Sequence, residues 1–259
     1  MKKRFVLMTY PSYTLIWFVA LYYTFGTRRG VRVRGEHGID SWLVMIEILF
    51  ENEDILAVNK PEGLAAIPER QGQTGSLFDL LCTERGEKLF IVHRIDKDTS
   101  GLIVFAKNAE AHRRLSLQFE KRLVRKVYLA LVHGVVAAEQ GVIDKPLGRH
   151  GSGRVGINPQ RGRSSVTEYL VLRRGPAHTL LEAYPKTGRR HQIRVHLYSI
   201  GHPIVGDRLY GDLAIQRDYP RMMLHAQKLM IRLLNDEMLT VEAPIPESFE
   251  RVLQMIDRG

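Results

Sequence analysis

The pattern of apolar and polar positions changes character several times along the chain, and each change predicts an element. Met45 to Phe50 alternates, a polar turn follows at Glu51-Asn52-Glu53-Asp54, and Ile55 to Val58 is apolar again, which reads as a β-hairpin over residues 46–60. Asn59-Lys60-Pro61-Glu62-Gly63 is a strong turn signal, and Ser76 is placed to cap a helix running to about Glu84. Two short apolar runs, Leu89 to Val92 and Leu102 to Ala106, predict buried strands on either side of a polar loop. Ala109 to Lys121 carries Leu115 and Phe119 four apart, as an amphipathic helix does. Lys126–Val136, Val166–Leu172 and Thr179–Tyr184 read as strands. From Thr187 a helix is expected towards Gly201, with Ile193, Leu197 and Ile200 on one face and Arg190 and Arg194 on another. Leu224-His225-Ala226 enters a strand, and Pro246 to Ile256 reads as a last amphipathic helix. Strands and helices in this mixed order indicate an α+β fold with a largely antiparallel sheet. The stretch Gly148–Ser165, rich in glycine and arginine with almost no large apolar side chain, is expected to be a long basic loop, either a solvated connection or an arm touching phosphates.

The first 45 residues do not share this pattern. Residues 5–25 are mostly apolar and aromatic and just long enough to span a bilayer, with Lys2, Lys3 and Arg4 before them and Arg28, Arg29, Arg32 and Arg34 after. Pro11 and scattered Thr, Ser and Tyr weaken such a span, no cleavage site follows, and basic residues on both sides leave its orientation open. Because the ordered pattern starts abruptly at Met45, a second reading places the true start there, and a third makes residues 1–45 a poorly ordered extension. The catalytic unit is expected over residues 46–259.

Composition narrows the class. In 259 residues, 44% are hydrophobic and 25% charged, ordinary for a soluble globular protein. A single cysteine, Cys82, permits no internal disulfide, suits a reducing cytosol, and reads as a buried, inert thiol. The net charge of +10 favours a polyanionic partner. Residues 1–44, however, hold seven Lys or Arg against two Asp or Glu, so half of that charge lies outside the body of the protein.

The chemistry concentrates in His93-Arg94-Ile95-Asp96-Lys97-Asp98-Thr99-Ser100-Gly101. Asp96 is predicted to sit on a loop carried by a rigid sheet, where functional groups tend to lie. The residues alone leave open a turn whose aspartate caps neighbouring amides and a carboxylate that reacts. The histidines follow no metal-ligand spacing and sit beside Arg or Lys, so hydrogen-bonding roles fit them better than a metal site. No second acidic loop offers the partner that a glycoside hydrolase needs. Nucleophile-elbow, phosphate-loop and dinucleotide signatures are missing. What remains is one aspartate among arginines, kept ionised by nearby positive charge and able to act as a nucleophile. Thr187-Gly188-Arg189-Arg190, opening the predicted helix, is a plausible anion site.

The run HRIDKDTSGLIVFAKN resembles the catalytic signature of the pseudouridine synthases, in particular the ribosomal large subunit pseudouridine synthase A-type (RluA) family. The likeness extends through VNKPEGL, KVYLALVHG, KTGRRHQIRVHLYSIGHPIVGDRLYG and Met223-Leu224-His225-Ala226, in the family's order, over about residues 46–245. It implies the pseudouridine synthase fold, a large mixed and mainly antiparallel bent sheet flanked by helices and loops. It implies an isomerase that cuts the N1 glycosidic bond of a uridine in RNA and rejoins the base through C5, with no cofactor, no metal and no redox change. By the same resemblance Asp96 matches the essential aspartate, attacking sugar C1′ or uracil C6. Tyr128 matches the tyrosine that stacks on the base and helps remove the C5 proton, Arg194 the basic residue paired with the aspartate, and Arg94 the arginine that holds the target nucleotide out of its stack. His93, Thr99, Arg189, Arg190 and His191 are further candidates for contact with RNA. The expected partner is a stem-loop of rRNA or tRNA, the expected state a monomer in the cytoplasm. Residues 1–45 are too short and too apolar for the small RNA-binding domain that many relatives carry in front. An RNA-binding or ribosome-assembly protein that kept the fold and lost turnover is the alternative.

Overall fold

The computed structural model describes residues 4–8, 21–25, 28–32, 44–68, 75–150 and 154–257. Most of the apolar stretch 5–25 lies outside them. Among the described residues no helix is long and apolar enough to cross a membrane.

In chain order the elements are β1 (Arg4–Met8), β2 (Leu21–Phe25), β3 (Arg28–Arg32), β4 (Val44–Glu51), β5 (Ile55–Lys60), α1 (Leu77–Arg85), β6 (Phe90–Ile91) and β7 (Ser100–Ala106). Then come α2 (Ala109–Glu120), β8 (Arg125–His133), β9 (Gln140–Asp144), β10 (Leu147–Arg149), β11 (Val155–Ile157), β12 (Val166–Arg174) and β13 (His178–Pro185). The chain continues through α3 (Gln192–Tyr198), α4 (Leu213–Gln216), β14 (Leu224–Arg232), β15 (Met238–Glu242) and α5 (Glu247–Asp257). The main sheet runs β1-β4-β5-β7-β14-β8-β13-β12-β9, with β6 beside β7 and β15 beside β14. Every pairing in it is antiparallel except β7 with β14, where Ser100 faces His225 and Gly101 faces Ala226. Mixed, mainly antiparallel and flanked by helices, it is the α+β arrangement expected.

The sheet's middle is buried on both faces, which explains why β7 reads as an unbroken apolar run. Leu56, Val58, Ile103 and Phe105 pack against Leu77 and Leu81 of α1. The alternate residues Ile55, Ala57, Leu102 and Val104 pack against Ala111 and Leu115 of α2. Both helices start on side-chain caps. Ser76 Oγ accepts from Asp79 N while the Asp79 carboxylate accepts from Ser76 N, and Asn108 Oδ1 accepts from Ala111 N. Where β7 meets β14 the backbones are so close that a Cβ on Gly101 would lie 2.3 Å from Ala226 O, and its φ of +109° is one that side chains rarely adopt. That close approach fixes the exit of the polar loop carrying Asp96.

Several expectations change. Gly148–Ser165 is not a structureless loop: β10 and β11 form a hairpin, with Gly148 opposite Gly156. Leu147 and Val155 turn inward onto Val195 and Tyr210, enough apolar contact to hold it. The helix expected from Thr187 begins only at Gln192, because His191 takes a left-handed φ of +54°. Arg190 and Arg194 therefore do not share a helix face; Arg190 lies exposed before the helix and Arg194 is buried within it. The Arg189 amide of that turn is already taken, donating to Gln192 Oε1 at 3.0 Å. Cys82 is half-buried rather than fully enclosed.

Candidate active site

Asp96 lies on the loop between β6 and β7, which is held from three sides. Its own carbonyl accepts from Thr99 N at 3.1 Å, closing the turn. Just before it, His93 Nε2 accepts from Val104 N at 3.0 Å, and the ring stacks on Phe119 with centroids 4.5 Å apart. Just after it, Lys97 O accepts from the amine of Lys60 at 2.9 Å. Lys60 is fully buried and also donates to Pro61 O and Leu64 O, each at 2.7 Å, so its three N–H bonds match three carbonyls. Burial pulls this amine down to about 7, against the opposing pull of Asp98 and Glu62. The turn Asn59–Gly63 is thereby bolted to the loop.

The Asp96 carboxylate meets Arg194, whose Nη1 donates to Asp96 Oδ2 at 3.3 Å. Arg194 stands on α3 and is itself held by Asp207 through two tighter bonds, Nε to Oδ2 at 2.7 Å and Nη2 to Oδ1 at 2.8 Å. This is the bidentate geometry a planar guanidinium favours. Asp207 Oδ1 also accepts from Leu209 N and Tyr210 N, which fixes the carboxylate in turn. Burial alone would lower the Arg194 pKa, but the bonds to Asp207 and the charge of Asp96 outweigh it and hold the group above its ordinary value. One edge of the guanidinium is spent internally and the remaining Nη1 is aimed at Asp96.

Tyr128 and Lys126, two apart on β8, line the same cavity of about 510 Å³ as Asp96, Arg194 and His93. Burial, and then the charge of Asp96, push the Tyr128 phenol well above the usual tyrosine range, so it is neutral at physiological pH. His93 is pulled down to about 3, first by burial and then by Lys126. It is neutral too, and its Nε2 lone pair is committed to Val104. His191 lines the cavity beside Arg194. Tyr210 OH donates to Val155 O at 3.0 Å, so its bond with His191 Nδ1 at 2.9 Å must have the histidine as donor. Burial takes His191 down to about 4, Asp96 opposing and Arg194 assisting.

The other expected residues lie around this centre. Thr99 is buried in the wall of the cavity. Arg189 is half-buried at its edge, where Nε donates to Ser164 O at 3.4 Å. Arg94 is exposed, makes no ion pair among the described residues, and lines both this cavity and a second of about 480 Å³ on the other side of Asp96. Arg190 is exposed and lines the second cavity only. Asp207, Tyr210, Lys60, Lys126 and Gln192 were not singled out from the sequence. Gln192 holds the turn before α3 by accepting from Thr187 Oγ1 and Arg189 N and donating to Val166 O and Thr167 Oγ1. A signal for Asp207 existed: an arginine buried in a globular core needs a carboxylate, and Gly206-Asp207 is the nearest acid downstream. Among the described residues no group of three His, Cys, Asp or Glu is placed to hold a metal ion.

A mixed sheet brings a carboxylate, a guanidinium and a tyrosine together on one cavity. Similar proteins give its class. The family described as RNA pseudouridylate synthase matches residues 54–199. An uncharacterized RNA pseudouridine synthase of Bacillus subtilis, YhcT, is 40% identical, over 80% of this chain and 71% of its own. The dual-specificity RNA pseudouridine synthase RluA of Vibrio cholerae is 37% identical, covering 84% of this chain and 90% of its own. The ribosomal large subunit pseudouridine synthase D of Pseudomonas aeruginosa is 39% identical over 83% and 74%. Among solved structures, human RNA pseudouridylate synthase domain containing 4 superposes with a TM-score of 0.68 at 27% identity, over 81% of this chain and 92% of that one. The chain belongs to the RNA pseudouridine synthase family, isomerases that act on RNA.

Proposed function

We propose that residues 46–259 form a catalytic unit that isomerises uridines in stem-loops of rRNA or tRNA in the cytoplasm, with Asp96 as the nucleophile. The single observation that carries this is the relay Asp207–Arg194–Asp96 at a cavity large enough for a nucleotide. A uridine in structured RNA must leave its stack to reach such a cavity, at a cost of a few kcal/mol. The exposed Arg94, at the junction of the two cavities, is placed to meet the displaced backbone and offset part of that cost.

Asp96 then supplies an oxygen to sugar C1′ or uracil C6, the N1–C1′ bond breaks, the base turns, C5 bonds to C1′, and the bond between Asp96 and the substrate breaks to return the free carboxylate. The proton on C5 leaves and N1 gains one, so no atom or electron is lost overall. Arg194 keeps Asp96 ionised and oriented. Tyr128 gives the base a ring to stack on. Its raised pKa makes it a poor proton acceptor while Asp96 is charged. Once Asp96 is esterified that charge is gone, one of the two causes of the raised pKa disappears, and Arg194 favours the phenolate. Burial, the larger cause, remains, so the change moves Tyr128 part of the way towards the phenolate that removal of the C5 proton requires. The name of the Pseudomonas aeruginosa relative, a ribosomal large subunit pseudouridine synthase, supports rRNA as a substrate.

The test is pseudouridine mapping of total RNA from a strain lacking the gene, complemented with wild-type or Asp96→Ala protein. Sites restored by the wild type and missing with the variant identify both activity and substrate. Full restoration by the variant removes Asp96 from the chemistry, and no restoration by the wild type returns the reading to a binding protein.

A further inference from the structure

One group in the cavity has no task in the scheme above. Lys126 projects from β8 on the same face as Tyr128, since side chains two apart share a face of a strand. Its stem is half-buried, and its amine makes one hydrogen bond among the described residues, to Thr187 O at 3.4 Å. That is long for a charged donor, and an ammonium has three N–H bonds to satisfy and no lone pair to offer. The carboxylate nearest the reaction, Asp96, is taken by Arg194. Glu120, at the rim beside Arg122, is exposed and pairs with nothing among the described residues. A half-buried amine without a counter-ion among the described residues, in the wall of a binding cavity, is a donor set waiting for an acceptor.

We propose that Lys126 is a substrate-binding residue whose ammonium hydrogen-bonds an oxygen of the inserted nucleotide, a uracil carbonyl or a phosphate oxygen. This rests on the uridine-isomerising reading above and adds to it the group that receives the nucleotide next to the stacking tyrosine. The surroundings make the contact sensitive to pH. Burial brings the amine down to about 8. His93 and His191 lie at about 3 and about 4, and Tyr128 far above the usual range. Lys186 and Arg189 line the rim from the β13–α3 turn. On β14, which pairs with this part of β8, Lys228 is tied to Glu242. Lys60, at about 7, lies behind the catalytic loop and outside the cavity.

The experiment follows release of tritium from total RNA of a strain lacking the gene, labelled with 5-tritiated uridine, from pH 6.5 to 9. The wild-type kcat/KM is expected to fall above pH 8 by about tenfold per unit as the amine loses its proton. Lys126→Met keeps the stem, is expected to lower kcat/KM at pH 7 by roughly 10–100-fold, and should show no further fall near pH 8. Lys126→Arg is expected to restore activity and carry it past pH 9. If the oxygen belongs to a phosphate, the Met variant also loses about one unit of the salt slope; a carbonyl leaves the slope unchanged. Wild-type kcat/KM in a folded Met variant overturns the proposal, as does a fall near pH 8 that survives the substitution. Should the Met variant not fold, Lys126→Arg decides alone, an unmoved fall near pH 8 counting against the proposal. A wild-type protein that releases no tritium at any pH strikes the proposed function itself rather than this residue.

Discussion

Two buried arginines flank the loop that carries Asp96, and they are used in opposite ways. Arg221 donates from Nη1 to Glu62 and Ser248, from Nη2 to Ser100 Oγ at 2.6 Å, and from Nε to Met222 O. Behind it Ser100 donates to His225 Nδ1 at 2.8 Å, and His225 Nε2 faces Ala243 O at 3.4 Å. Because a carbonyl only accepts, the proton of His225 lies on Nε2 and the chain of donors has one direction. The network joins β7, β14 and α5, and its Glu62 end reaches the wall of the second cavity. Arg194 has the same chemistry and similar burial, but Asp207 occupies only Nε and Nη2, and Nη1 is left for Asp96. A buried guanidinium whose four hydrogen bonds all go to its own protein is a bolt. One held by a dedicated carboxylate, with its remaining Nη1 turned to Asp96, is a working part in the reaction proposed above.

That contrast is broken most severely at Asp207. Asp207→Asn keeps the shape but removes the counter-charge of a buried arginine, so stability is expected to drop by about 3–5 kcal/mol. Turnover should fall on the order of 100-fold or more, because Arg194 no longer has a fixed direction towards Asp96. Denaturant unfolding and single-turnover assays on the same preparation separate the two effects. A variant that loses stability but turns over normally would show that Arg194 needs no anchor.

On the Arg221 side the effects should fall on stability and not on turnover. Burial holds His225 down at about 4, from an ordinary value of 6.5, with Ala243 O opposing. The sign follows directly: a base whose folded pKa is depressed contributes stability that is fully present above 6.5 and is lost as pH falls towards 4. The loss is on the order of 3 kcal/mol. His225→Asn, which takes up no proton, is expected to flatten that part of the curve of unfolding free energy against pH. An unchanged slope would place the acid sensitivity in other groups, such as His191.

The smallest effect is expected at Ser100→Ala, which strands one N–H of Arg221 and the lone pair of His225. It should cost about 2 kcal/mol of stability and leave kcat within a few fold. A large loss of kcat with little change in melting temperature would mean that the Arg221 network also steers the catalytic loop.

Much of this was legible in the chain, for reasons that are local. The Ser76 cap, the α2 periodicity and the apolar runs around the Asp96 loop all depend on neighbours in sequence, and the structure follows them closely. The hairpin β10–β11 is not legible in the sequence because Leu147 and Val155 are too few to make a pattern. Their burial depends on Val195 and Tyr210, which are distant in the chain. α3 is shorter than its periodicity predicts because nothing in that pattern reveals the left-handed turn at His191. The site divides in the same way. Asp96, Tyr128 and Arg194 stood out through their motifs and do line one cavity. Asp207 and Lys60 act through contacts made only after folding, 13 residues from Arg194 in one case and 37 from Lys97 in the other. A buried cation announces that it needs partners, but sequence does not say which.

The central claim is that Asp96, held by Arg194, is the group that reacts. The most direct measurement is the single-turnover rate of Asp96→Asn on an RNA containing a site restored by the wild type, with melting temperature as the control for folding. The amide keeps the size and can still accept from Arg194, but it is no longer a nucleophile. The expected result is a folded protein that binds the RNA and forms no pseudouridine, a loss of at least about 10⁴-fold. A folded Asp96→Asn protein turning over within tenfold of the wild type would contradict it.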